Sequence, residues 1–335
     1  MKENRISLDH LHTNYEGDFF MENKNVLYID YLDSYMEIGK YRVPKWIKWV
    51  VYKVLNYFGM VRRKENYLCL YSEKGDVINE RMLRRIYEIW NEMDAEAVVC
   101  ADLLLKNELF MEWLRERECT VLNGMWLFKF LMGDILEKIA YIKNVRVGSF
   151  EVSVFIKRFS DYHVEGIKMI AKKCKVLNVI TDNVKGFEVV EKRLLEECGV
   201  MVNVTSNVEK SSKRADVIFN FDFEAVEIGR CRMKDEAVLV QMNGLEFARK
   251  EGIVVRFCKL EVPVKYDEVF AKFKHFKEEI LYESVIYHKN SFKNVMAILR
   301  RDNVNIRYFI GNNGKINFRE FLGESTWQIK NLILS

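Results

Sequence analysis

EVSVFIKRFSDYHVEGIKMIAKKCKVLNVITDN (151–183) is the stretch on which the fold turns. Its first seven residues, EVSVFIK, form a short run rich in Val, Ile and Phe, which reads as a strand. DYHVEGIKMIAKKC (161–174) then has the spacing of a helix, and KVLNVIT (175–181) is a second apolar run. Both are apolar strands with little alternation. That is the pattern of a strand buried on both faces, as a parallel sheet requires. The rhythm continues outward. FEVVEKRLLEECG (187–199) is a helix with a glycine stop, VMVNVT (200–205) a strand, and SNVEKSSKR a polar stretch. ADVIFNFD (215–222), AVLVQMNG (237–244) and GIVVRFCKLEV (252–262) are further strands.

Toward the N-terminus the alternation of strand and helix repeats. NVLYIDYLD (25–33), NYLCLYS (66–72) and AEAVVCADLLL (95–105) carry strands. PKWIKWVVYKVLNYFG (44–59) starts at proline and stops at glycine, the residues favoured at those two helix ends. INERMLRRIYEIWNEM (78–93), NELFMEWLRERE (107–118) and MWLFKFLMGDILEKIAYIKN (125–144) are helices. Beyond 262, YDEVFAKFKHFKEEILYES (266–284) reads as one helix and SFKNVMAILRR (291–301) as another. A hairpin over 305–321 turns at Asn313-Gly314, a dipeptide suited to positive φ.

The expected fold class is therefore α/β, with two α/β domains. The N-terminal one covers 25–145, behind a polar segment 1–24. The second, over 150–262, is a doubly wound, mostly parallel sheet, and 263–335 supplies C-terminal helices and a hairpin. A chain of 335 residues suits this division, since domains run roughly 100–200 residues.

The order of features from 151 to 244 resembles the Rossmann-type NAD(P) domain of the shikimate dehydrogenase and glutamyl-tRNA reductase type. Ala215 to Asn220 match that family's "aDvIvN" strand, and Thr181-Asp182-Asn183 end the second strand where the ribose is read. The resemblance implies a dinucleotide crevice with Arg158, Ser160, Asp182, Asn183, Asn220 and Asp222 as candidate cofactor-binding residues. The family's glycine-rich loop, which lets backbone approach pyrophosphate, is missing. Arg158-Phe159-Ser160-Asp161-Tyr162-His163 stands there, and no glycine occurs before Gly166. Phe159 and Tyr162 place bulk, and Asp161 negative charge, where a diphosphate needs room and donors. Each candidate has an ordinary structural alternative: Asp182 as a cap or turn residue, Asn220 and Asp222 as partners of loop backbone, Arg158 as a solvated loop residue. The expected cofactor is thus unknown, with NAD(P) disfavoured.

The most unusual composition lies at 40–64, where eight Lys and Arg stand without a single Asp or Glu, interleaved with aromatic residues. Residues 47, 50, 51, 54, 55 and 58 trace an apolar face that would dock on the sheet. Lys45, Trp46, Lys48, Trp49 and Lys53 make a candidate membrane or partner surface. Single-stranded nucleic acid is the less favoured partner.

Composition sets the remaining expectations. A net charge of +4 is too small and too dispersed for a dedicated nucleic-acid binder. Seven cysteines without a C-x-x-C pair, and five dispersed histidines, predict reduced thiols and no metal. No signal sequence or membrane span is evident, which predicts a cytoplasmic protein. There is no G-x-S-x-G elbow and no P-loop. The leading functional expectation is a ligand-sensing, scaffold or regulatory protein. The alternatives are an NAD(P)-dependent oxidoreductase with an atypical phosphate loop, and a peripheral protein recruited through 44–59.

Overall fold

The computed structural model describes residues 25–32, 34, 38, 44–72, 78–158, 160–199, 202–244, 252–287, 292–317 and 321. The chain divides into two compact units: 1–123 with 264–288, and 124–263 with 289–335.

The first unit runs β1 (Val26–Tyr31), α1 (Lys45–Tyr57), β2 (Val61–Lys64), β3 (Tyr67–Leu70), α2 (Glu80–Glu92), β4 (Ala97–Cys100), α3 (Asp102–Leu105), α4 (Glu108–Glu116) and β5 (Thr120–Leu122). The second runs α5 (Met125–Phe130), α6 (Met132–Ile142), β6 (Glu151–Phe155), α7 (Asp161–Ala171), β7 (Val176–Ile180) and α8 (Val184–Cys198). It continues through β8 (Asn203–Thr205), α9 (Val208–Arg214), β9 (Val217–Asn220), α10 (Ala225–Gly229), β10 (Val238–Gln241), β11 (Ile253–Val255) and β12 (Phe257–Glu261). The chain then returns to the first unit with α11 (Asp267–Phe270) and α12 (Glu278–Ile286), and to the second with α13 (Phe292–Arg301), β13 (Asn305–Gly311) and β14 (Gly314–Lys315).

The sheet of the second unit has the order β11-β10-β9-β6-β7-β8, and every pairing in it is parallel. Counted from β6, that is the doubly wound 3-2-1-4-5-6 order of the Rossmann fold, so the expected fold class holds. The order reverses between β6 and β9. Around this point Phe155, Ile180, Ala215, Ile218, Phe223 and Leu239 form one buried cluster. The unalternating strands are buried along their length, as their sequence predicts. A separate antiparallel sheet, β12-β13-β14, closes with Gly314 at φ 97°, in the left-handed region the hairpin turn demands.

The first unit has the order β2-β3-β1-β4-β5, parallel except for β2. Among the described residues, no helix is long and apolar enough to cross a membrane.

Several elements differ from the sequence reading. The helix expected over 125–144 breaks at Leu131 into α5 and α6. Both lie in the second unit rather than at the end of a 25–145 domain. The reason is close packing within that unit. A Cβ on Gly166 of α7 would meet Met132 Sδ at 2.7 Å, and one on Gly133 of α6 would meet Met169 at 3.0 Å. The helix expected over 266–284 is interrupted between Phe270 and Glu278, where Phe273 packs on Tyr28 and Tyr67. The polar stretch SNVEKSSKR forms α9, capped by Asn207, whose side chain accepts from Lys210 N.

Candidate functional site

In doubly wound sheets, ligands bind at the carboxyl ends of the strands, where the order reverses. In the second unit that place is bounded by residues 156–158 and 160 after β6 and by residues 221–224 after β9. The two turns are joined directly. The Asp222 carboxylate accepts from Lys157 N at 2.7 Å and from Arg158 N at 3.0 Å. Backbone N–H groups at this turn are the donors a dinucleotide phosphate uses in a Rossmann unit. Here an internal carboxylate takes two of them.

The neighbouring groups are also engaged. Lys157 Nζ lies 2.7 Å from the Glu227 carboxylate and 5.1 Å from the centre of the Phe223 ring. The hydrogen bond Lys157 donates to Glu227 raises the Lys157 pKa, with smaller contributions from the Asp182 and Glu224 charges. Asn220 is buried; its amide donates to Phe223 O and Gln241 Oε1, and its carbonyl accepts from Phe223 N. That full set of internal partners makes Asn220 a brace for the β9 turn.

Ser160 is the N-cap of α7, and its N–H donates to His163 Nδ1 at 3.1 Å. Accepting there requires Nδ1 without a proton, as in the neutral Nε2–H tautomer. Burial lowers the His163 pKa below its usual value, and the Lys129 charge adds to this while Asp222 opposes it. The His163 ring stands edge-on to Phe221, 4.8 Å away. Tyr162 turns toward α5, its hydroxyl donating to Trp126 O and its ring packing 4.7 Å from Phe130. Phe159 lies outside the described residues.

Asn183 is the N-cap of α8, accepting from Gly186 N at 3.0 Å. Asp182 and Arg158 have exposed side chains. Of the six candidates, then, Asp222 and the backbone of Arg158 meet directly, Ser160, Asn183 and Asn220 support their own turns, and exposed Asp182 acts on Lys157 through its charge.

A second polar cluster occupies the corresponding place in the first unit, at the carboxyl end of β1. Asp30 is buried, and its carboxylate accepts from Tyr67 Oη at 2.5 Å and lies 2.7 Å from His275 Nδ1. Asp30 Oδ1 also accepts from Tyr31 N at 2.8 Å, and the His275 ring stacks on Tyr31 with centroids 4.5 Å apart. His275 O accepts from Asp102 N, just beyond β4. Tyr28 donates to Ser284 Oγ at 2.9 Å, and burial raises its phenol pKa. The sequence carried no signal for this cluster, because its Asp and His are 245 residues apart. Lys106 and Asn107, also near the end of β4, are an exposed residue and the N-cap of α4.

Among the described residues, no group of three or more His, Cys, Asp or Glu is placed to hold a metal ion. Cys69, Cys100, Cys119, Cys174, Cys231 and Cys258 are free thiols, and burial pushes the pKa of Cys174 and Cys231 up to about 11.

No family model and no curated protein matches the sequence. Solved structures with some likeness include L-tryptophan dehydrogenase from Nostoc punctiforme, at 9% identity and TM-score 0.29, covering 83% of this chain and 80% of that one. Shikimate dehydrogenase in complex with NADP+ is 10% identical at TM-score 0.29, over 78% of this chain and 94% of that one. Ornithine transcarbamoylase from Giardia lamblia is 10% identical at TM-score 0.31, over 80% and 89%. Likeness of this degree says nothing about activity.

Proposed function

We propose that this chain is a scaffold or regulatory protein with a Rossmann-like unit whose phosphate place is filled from within. The observation that carries the reading is the Asp222 carboxylate bound to Lys157 N and Arg158 N across the switch point. A diphosphate arriving there would have to displace a carboxylate already accepting two N–H bonds, against the repulsion of like charge. Hydrogen bonds to a charged group are worth roughly 1.5–3 kcal/mol each. Displacing both would remove a large part of what a dinucleotide gains from its phosphates. Asn220, held by three internal bonds, supports the same reading.

The test is a thermal-shift series with NAD, NADH, NADP and NADPH. A ligand at 100 times its Kd adds about 2.7 kcal/mol of stability. The reading predicts no shift with any of the four at millimolar concentration. A shift of several degrees with one of them would favour the alternative, an oxidoreductase with an atypical phosphate loop and Asp182 on the ribose.

A further inference from the structure

The basic aromatic helix has no part in the account above, and its packing is unusual. Tyr52 is the buried residue of α1, set among Leu32, Ile38 and Cys69. Most of the face expected to dock does not do so: Val50, Val51, Val54 and Phe58 are exposed and Ile47 only half-buried, while Leu55 packs against that cluster. Trp46, Trp49, Val50, Val54 and Tyr57 recur at helical spacing on the outward side, with Lys53 among them. Trp46 is 68% exposed, Tyr57 63% and Trp49 49%. A contiguous apolar surface of this kind marks an interaction face rather than chance exposure.

At the C-terminal end of α1 this face runs into a groove of about 460 Å³ between β2 and α2. Phe58 and Met60 line it with Arg63, Arg81, Arg84 and Arg85, against two glutamates, Glu80 and Glu88. Arg84 and Arg85 pair with those glutamates, and Arg63 with Glu92. Arg81 lies 4.7 Å over the Tyr57 ring and so joins the groove to the aromatic face.

We propose that α1 and the adjoining arginine groove form a docking surface for an anionic phospholipid bilayer. Tryptophan and tyrosine rings favour headgroup depth, valine enters the acyl boundary, and lysine and arginine meet lipid phosphate. The charge along α1 and β2 is complementary, for no acidic residue lies between 40 and 64, and in the groove the paired glutamates Glu80 and Glu88 offset part of the arginine charge. This surface does not depend on the reading given for Asp222.

The experiment is flotation of the full chain with vesicles of phosphatidylcholine alone, or with about 30 mol% phosphatidylglycerol. The expected result is binding to the anionic vesicles only, weakened severalfold between about 0.1 M and 0.5 M salt. Two double variants, Trp46→Ser with Trp49→Ser and Lys45→Glu with Lys53→Glu, should each weaken binding at least about tenfold. Their melting temperatures should match the parent's, because all four side chains are exposed. Absence of binding to anionic vesicles overturns the proposal. So does binding that either variant leaves intact. A single-stranded oligonucleotide held through the same residues while vesicles are ignored also overturns it, as does a dimer lost in the tryptophan variant.

Discussion

A carboxylate that accepts two backbone N–H groups at 2.7 and 3.0 Å fixes both the turn it reaches and the turn it comes from. Replacing Asp222 with Ala leaves Lys157 N and Arg158 N to water and should cost about 1–3 kcal/mol in urea unfolding. A stability equal to the parent's would mean the two bonds do not hold the turns. His163 supplies a pH signature. Burial, and then the Lys129 charge, set its folded pKa below 6.5. Between that value and 6.5 the unfolded chain binds a proton the folded chain does not. Stability therefore falls as pH falls through this window. His163→Gln keeps an acceptor for Ser160 N, as a capping box does, without the titration. The variant should lose less stability than the parent on going from pH 7 toward pH 5, as read by chemical denaturation. In the other unit, His275→Ala leaves the buried Asp30 carboxylate short of a partner and should cost about 1–3 kcal/mol by the same measurement. None of these partnerships was legible from spacing. Asp222 was marked for the crevice because it ends the NFD strand, but its acceptor role depends on a turn 64 residues away.

Elements were legible where the pattern is local. The unalternating strands and the Pro44 and Gly59 boundaries of α1 needed only their own residues. Gly59 shows why glycine ends that helix. Its φ is 64°, and a Cβ there would meet the Arg81 and Met82 backbone at 2.6–2.7 Å. Gly59→Ala thus combines backbone strain with a clash that no side chain can relieve. It should destabilise by roughly 2–4 kcal/mol, measured by denaturant unfolding. Breaks inside helices were not legible. Residues 266–284 have helical periodicity throughout, yet Phe273 and His275 are drawn to Tyr28, Tyr67 and Asp30, and the helix yields to those contacts. The exposed face of α1 was hidden for a similar reason. An apolar stripe at helical spacing ordinarily points inward, and periodicity alone does not say which side the sheet takes.

At the scale of the whole molecule, strand order carries the most information. Alternating strands and helices predicted two α/β parts. The 3-2-1-4-5-6 order of the second unit then locates its switch point between β6 and β9. The division of the chain was harder to see, because each unit is completed by a later return of the chain that no composition change announces. What distinguishes the second unit is that its own Asp222 carboxylate binds two backbone N–H groups at the switch point, which in the function proposed above closes the phosphate place. Amide hydrogen exchange at Lys157 and Arg158, followed by NMR, tests this most directly. The account predicts that both amides exchange at least about tenfold more slowly than open-chain rates, that Asp222→Ala removes that protection, and that NADH changes neither. Open-chain exchange at both positions in the parent, or new protection there on adding NADH, would contradict it.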